Sequence, residues 1–225
     1  MSQIILIIIL FPIILLSLII HEVAHGKMAF FRGDPSAFYE NRLSFNPLLH
    51  LDPMGSLLMA GTLFFSVIAT AVTGTNFIVC LGWAKPVPVR EENFSNSRLD
   101  LILVSLAGPA SNFILAFLAG LPFQIGIMRV PQNDFFSEGI LSLVLYLIVN
   151  VNIVLGIFNL FPLPPLDGSK ILSAFLPEKY EQMIKFPSRK TMIITMVVTI
   201  LLINWGGFSE LIRFFINLFT NISGN

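Results

Sequence analysis

Charge is missing from long stretches of this 225-residue chain, and those gaps limit what it can fold into. No Asp, Glu, Lys or Arg precedes Glu22, and none occurs between Asp52 and Lys85, Asp100 and Arg129, Glu138 and Asp167, or Lys190 and Glu210. A helix that crosses a bilayer needs about 20 consecutive apolar residues, so each gap is a candidate span. Leu211 to Phe219 is a possible short sixth segment, interrupted by Arg213. The chain is 55% hydrophobic and 12% charged, against the usual quarter or so charged in soluble domains. Burying that much apolar surface at this length calls for lipid as the solvent. The expectation is an all-α polytopic membrane protein, a bundle of about five to six transmembrane segments forming one unit over residues 1–225. Thirteen basic and thirteen acidic residues cancel, and no basic tract points to nucleic acid. The single cysteine, Cys80, lies in an apolar run, so disulfides and thiolate metal sites within one chain are excluded.

The N-terminal run from Ile4 to Ile20 lacks a basic start and a small-x-small cleavage site, so it reads as a span rather than a secretory signal. Pro12 bends this helix without ending it. Lysine and arginine in the loops set the orientation. Lys27, Arg32 and Arg42 follow the first span, and Lys170, Lys179, Lys185, Arg189 and Lys190 follow the span that ends near Phe161. Both regions are expected at the cytoplasmic side of the cell membrane, with the N-terminus and Gln132 outside. Lys85, Arg90 and Arg98 have the same character, so the run from Pro53 to Trp83 must leave and return to one side. Gly74, Gly82, Pro86 and Pro88 resist a continuous helix there, which predicts a short re-entrant or extended element. Such backbone is tolerated at membrane depth only when buried in protein or lining a cavity.

At the inner end of the first span stands His21-Glu22-Val23-Ala24-His25. Residues four apart share a helix face, so both imidazoles can bind one zinc ion. Glu22, beside them, can take a proton from zinc-bound water and pass it to a leaving amine. Ionisable groups at such depth are costly and mark function. A catalytic zinc takes three protein ligands and leaves one place for water. The HExxHxxGxxH spacing fails here, because position 31 is Phe. The remaining candidates are His50, Asp34, Glu40, Asp52, Asp100, Glu138 and Asp167. Asp167 is the best placed, after the proline-broken string from Asn159 to Leu166, where freed backbone groups suit a cavity. The competing use of Asp167 is an N-cap for the helix beginning near Gly168.

These residues resemble the site-2 protease family of intramembrane zinc metalloproteases, in the short form without PDZ or CBS domains. HEVAHG and NLFPLPPLDG carry the resemblance. Gly33 to Ala37, Arg42 to Gly55, GWAKPVPV from Gly82 to Val89, and Ala107 to Asn112 extend it, so that it covers the chain from Phe11 to about Leu172. The resemblance implies His21, His25 and Asp167 as ligands of one zinc ion, with Glu22 as base and acid. It also implies that Asn112 and Asn159 lie near the site, supporting the substrate carbonyl or the developing oxyanion; helix–helix hydrogen bonding is the plainer use of either. It makes GWAKPVPV an extended strand near the cleft, where a substrate segment could pair edge to edge. His50 matches a family position without an assigned role.

The reaction implied is hydrolysis of peptide bonds in transmembrane or membrane-proximal segments of a membrane-protein substrate. Two other classes compete with it: a zinc-binding membrane transporter and a non-catalytic membrane chaperone. Transporters also place ligands at broken helices, but no inverted repeat is present and Glu22 would lack a purpose. A chaperone would not need the complete catalytic set.

Overall fold

The computed structural model describes residues 2–73, 82–131, 136–177, 198 and 206–221, and among these it is helical without a strand. Four long helices dominate: α1 (Ser2–Phe31), α4 (Pro53–Thr73), α5 (Ser97–Gln124) and α6 (Ile140–Asn159). Between them lie the short α2 (Ser36–Tyr39) and α3 (Pro47–His50), and after them α7 (Asp167–Ser173) and α8 (Gly206–Thr220). Among the described residues, three helices are long and apolar enough to cross a membrane: Ile4–Phe31, Ser97–Gln124 and Ile140–Asn159. Pro53–Ser66 of α4 is a shorter apolar stretch. The charge-free run between Lys190 and Glu210 lies almost wholly outside the described residues, as do Gln132 and Lys179. Among the described residues there are thus three candidate spans, where five or six segments were expected of the whole chain.

Pro12 sits inside α1, and Pro109 and Pro122 inside α5. Each removes one helical donor, a loss that neighbouring helices can absorb in a membrane bundle. Between apolar helices in lipid, close packing and buried hydrogen bonds hold the bundle together. Leu6, Leu10 and Ile13 of α1 pack on Leu143 and Leu147 of α6, with Met59 and Leu63 of α4. The N-terminal halves of α1 and α6 therefore lie side by side and the two helices run the same way. A second cluster joins Ala116 and Ala119 of α5 with Val149, Ile153 and Ile157 of α6 and Phe208 and Ile216 of α8.

Helix α5 runs against α1. Asn96 caps it, accepting from the Leu99 N–H at 3.2 Å. One turn in, the fully buried Asp100 receives Arg32 Nε at 2.5 Å and the Asn96 N–H at 2.9 Å. This pair ties the C-terminal end of α1 to the start of α5 and so sets their relative height.

Residues 82–90 carry no regular secondary structure, apart from an isolated antiparallel bridge between Leu51 and Ala84. The Lys85 N–H donates to the His50 carbonyl at 2.8 Å. The segment is non-helical and forms no strand beyond that bridge; the earlier part of the return, residues 74–81, lies outside the described residues. Arg42, counted above among the loop charges, is buried and donates to the backbone carbonyls of Leu49, Lys85 and Pro86.

Asp34, after α1, is fully buried. Burial opposes its charge, but donation from Ser36 Oγ, the Arg90 N–H, Asn93 Nδ2 and the Ser36 N–H outweighs that and holds its pKa below the ordinary 3.8. A depressed pKa stabilises the fold above the ordinary carboxylate value, and that contribution is lost as pH falls through the folded value. Asp34→Asn is expected to destabilise the protein by about 1.5–3 kcal/mol at neutral pH. Thermal unfolding in detergent at descending pH should show the gap to wild type closing below pH 3.8.

Candidate metal centre

One helical turn separates His21 from His25 on α1, and their rings meet edge to face with centroids 4.6 Å apart. Both are buried, and each uses Nδ1 on α5. His25 Nδ1 lies 2.7 Å from the Val104 carbonyl. A carbonyl only accepts, so Nδ1 carries the proton and Nε2 is left with a lone pair.

The same assignment for His21 follows from a longer chain of contacts. Asn152 of α6 places its amide nitrogen 2.9 Å from the Ile148 carbonyl, which fixes that end as the donor. It also donates to Ser17 Oγ at 2.9 Å. Asn152 Oδ1 must then accept, and Asn112 Nδ2 supplies the proton at 2.8 Å. Asn112 Oδ1 in turn faces His21 Nδ1 at 2.6 Å and accepts from it. A single backbone carbonyl on α6 thereby sets the tautomer of a histidine on α1. Asn112 and Asn152 are both fully buried, as amides at this depth must be if they are to be satisfied.

Both Nε2 atoms point at one place. They stand 3.0 Å apart, and each lies 3.1 Å from Asp167 Oδ2. Asp167 opens α7, which follows α6 after the proline-broken turn, and so reaches this point from a remote part of the chain. Its side chain does not cap the helix: Leu166 is the N-cap residue and no side-chain cap bond is made there. The other carboxylate oxygen, Oδ1, accepts from Lys170 Nζ at 3.0 Å. Two lone pairs and a carboxylate oxygen in close contact repel one another unless a cation lies among them. Two imidazole nitrogens and one carboxylate oxygen are the donors of a catalytic zinc site with an open position. Donors on a tetrahedral ion with bonds of about 2.0–2.1 Å stand about 3.3 Å apart, near the 3.0–3.1 Å seen here.

Space for an ion is also present. Gly108 of α5 faces the imidazoles, and a Cβ built on it would lie 2.6 Å from His21 Nε2 and closer still to His25 Nε2. A methyl group there would compete with a metal ion for the same lone pairs. Glycine in the Ala-Gly-Pro string therefore keeps that position open.

Glu22 is half-buried next to this cluster, and its Oε2 accepts the Val87 N–H at 2.9 Å. Asn159, near the end of α6, is half-buried and returns its amide to the Leu155 carbonyl of its own helix at 3.0 Å. The other acids considered as ligands lie elsewhere. Asp100 pairs with Arg32, Asp34 holds the Arg90 region, Asp52 accepts from the Gly55 N–H at 2.7 Å, and Glu40 and Glu138 are exposed. His50 is buried but donates from Nε2 to the Ser44 carbonyl at 2.7 Å and is not part of the cluster. Asn152 and Ser17 were not singled out from sequence. The available signal was Asn152 standing seven residues, two helical turns, before Asn159 in an otherwise apolar helix.

The sequence profile of Peptidase family M50 matches residues 120–203. The candidate zinc metalloprotease YwhC of Bacillus subtilis is 37% identical over 175 residues, which cover 75% of this chain and 71% of the relative. The candidate zinc metalloprotease Rip2 of Mycolicibacterium smegmatis is 28% identical over 215 residues, covering 93% of this chain and 73% of that protein. The zinc metalloprotease MJ0392 of Methanocaldococcus jannaschii is 37% identical over 78 residues, 34% of this chain and 20% of its own length. No solved structure matches the chain.

Two substitutions test the centre without touching a donor atom. Gly108→Ala should abolish stable metal retention through purification, because its methyl group takes the space before both Nε2 atoms. Asn152→Leu frees Asn112 and with it the His21 ring, and should weaken metal affinity about 10–100-fold. Competition with a chromogenic chelator measures both.

Proposed function

The chain belongs to peptidase family M50, and from that premise we propose that it is an intramembrane zinc metalloendopeptidase acting on transmembrane or membrane-proximal segments of other proteins. In this reading residues 1–225 work as one membrane-embedded unit. His21, His25 and Asp167 hold one zinc ion per chain, and Glu22 carries the proton. The observation that supports it most is the meeting of two Nε2 lone pairs and Asp167 Oδ2 within 3.0–3.1 Å in a buried site.

A zinc ion held by His21, His25 and Asp167 would supply Lewis-acid chemistry toward water and the scissile carbonyl. The remaining work falls to the chain. Val104 and Asn112 orient the two imidazoles through their Nδ1 protons. Lys170 holds the outer oxygen of Asp167 and keeps the inner one turned toward the histidines. Glu22, fixed at Oε2 by Val87, takes the proton from the attacking water with its other oxygen and delivers it to the leaving amine. Asn112 has both ends of its amide engaged in the relay, so its part is to orient His21. Asn159 keeps the role proposed from the resemblance, support of the substrate carbonyl, for which its carbonyl-bound amide would have to turn.

A substrate helix must unwind locally before its carbonyls can enter this site, since helical hydrogen bonds otherwise occupy them. Substrates are therefore expected to carry helix-weakening residues near the cut. The parallel course of α1 and α6 supports placing the site at one face of the membrane, and the loop charges make that face cytoplasmic. Gln132→Cys labelled from outside and Lys179→Cys labelled from the cytoplasm, in a chain with Cys80 replaced, would agree with this orientation; the reverse pattern would overturn it.

The decisive variant is Glu22→Gln. It should purify with one zinc per chain, as wild type does, yet lose turnover by about 10²–10⁴-fold, the usual worth of a positioned proton carrier. Membrane proteins that accumulate in cells carrying this variant, compared with wild type by quantitative proteomics, are the substrates. His21→Ala and Asp167→Ala should instead lose the zinc. A variant Asp167→Ala with full zinc and activity would remove Asp167 from the ligand set.

A further inference from the structure

Residues 83–90, Trp-Ala-Lys-Pro-Val-Pro-Val-Arg, pass beside α1 without forming a helix. Proline has no N–H, so from 86 to 88 the backbone offers one donor, that of Val87. That donor goes to Glu22 Oε2 at 2.9 Å. The flanking prolines also fix φ on both sides of it, so the direction of this N–H is set by what holds the segment in place.

Two buried charges of opposite sign hold it. Before Val87, Arg42 Nη2 donates to the carbonyls of Lys85 at 2.5 Å and Pro86 at 3.0 Å, while Nη1 donates to the Leu49 carbonyl. After Val87, Asp34 Oδ2 accepts the Arg90 N–H at 2.6 Å, and Oδ1 accepts Asn93 Nδ2 at 2.7 Å. Arg42 is 4% exposed and Asp34 not at all. No carboxylate pairs with Arg42 among the described residues. Its desolvation is thus offset only by carbonyl dipoles, an expensive way merely to fill space. The fit against α1 depends on Gly26, directly after the second histidine. A Cβ there would lie 2.9 Å from Val87 Cγ1 and 2.8 Å from Leu43 Cδ2.

We infer that Arg42 and Asp34 are positioning residues for Glu22. They clamp the segment from Lys85 to Arg90 at both ends, so that the Val87 N–H fixes one carboxylate oxygen of Glu22 and leaves the other free to take the proton. The inference rests on the reading of Glu22 as proton carrier. A glutamate left to its own rotamers would sample many directions, and loss of alignment by about 1 Å costs on the order of 10²-fold in rate.

The test is amide exchange at Val87 in the full-length, zinc-loaded protein in lipid nanodiscs, read by mass spectrometry with fragmentation of peptides spanning residues 84–90. Pro86 and Pro88 are silent, which separates Val87 from its neighbours. Val87 should exchange slowly in wild type and fast in Glu22→Ala. In Arg42→Gln and Asp34→Asn it should also become fast, with zinc content unchanged and turnover of a Glu22→Gln-accumulating protein down on the order of 10²-fold. Arg42→Lys should recover part of both.

A Val87 amide that is unprotected in wild type, equally protected in Glu22→Ala, or still protected in a zinc-retaining Arg42→Gln overturns the clamp. If Arg42→Gln loses its zinc, Val87→Pro replaces it, since that change removes the donor itself and leaves Arg42 and Asp34 in place. Wild-type turnover in Val87→Pro overturns the inference, and lost turnover with zinc retained supports it. Should Glu22→Gln keep full turnover, the proton-carrier reading falls, while the exchange data still judge the clamp on their own.

Discussion

Three electron-pair donors facing one another in an apolar interior are unstable without a cation, and much of this structure follows from bringing them together. His21 and His25 need a helix long enough to carry them into the bundle. Asp167 must arrive at the same height from 142 residues further along the chain than His25. Parallel packing of α1 and α6, with Leu6, Leu10 and Ile13 against Leu143 and Leu147, meets that demand. The antiparallel α5, pinned by the Arg32–Asp100 pair, then lies across both and supplies the Val104 carbonyl, Asn112 and the bare face of Gly108.

Two polar systems flank the cluster of His21, His25 and Asp167. On one side, Ser17, Asn152 and Asn112 form a neutral relay through the apolar core that ends on His21. It can run there because every member is satisfied, and partly satisfied networks are penalised in low dielectric. On the other side, where the chain leaves α1, Arg42 and Asp34 use full charges to hold the segment that touches Glu22. In the proposed reading, neutral groups orient the histidines of the metal centre, and charged groups at the end of the bundle orient Glu22 as proton carrier.

Much of the centre was legible in the sequence, because the donor set combines a strong local pattern with a rare remote residue. The two histidines share a helix face by spacing alone, and Asp167 stands out as an acid in a proline-broken apolar string. The absence of helix over residues 85–90 could be expected from Pro86 and Pro88. What could not be read were contacts fixed by the packing of separate elements. Asn152 looks like any amide in a membrane helix until α5 places Asn112 opposite it. Arg42 reads as a loop charge that marks the cytoplasmic side, yet its guanidinium is buried on three backbone carbonyls. Asn159 has the right neighbours in sequence, but its amide turns back onto Leu155. The number of spans stays at three in the described residues because the charge-free run before Glu210 lies almost wholly outside them.

Zinc K-edge X-ray absorption on the purified, zinc-loaded protein is the most direct test of the account, since it reports the donor set itself. The chain has three histidines and one cysteine, so the alternatives are few and separable. The account predicts two imidazoles, with nitrogen at about 2.0–2.1 Å, and oxygen donors at about 2.0–2.2 Å completing the shell. Three imidazoles would bring His50 into the site. A sulfur scatterer at about 2.3 Å would bring in Cys80. Either result would contradict a centre built from His21, His25 and Asp167.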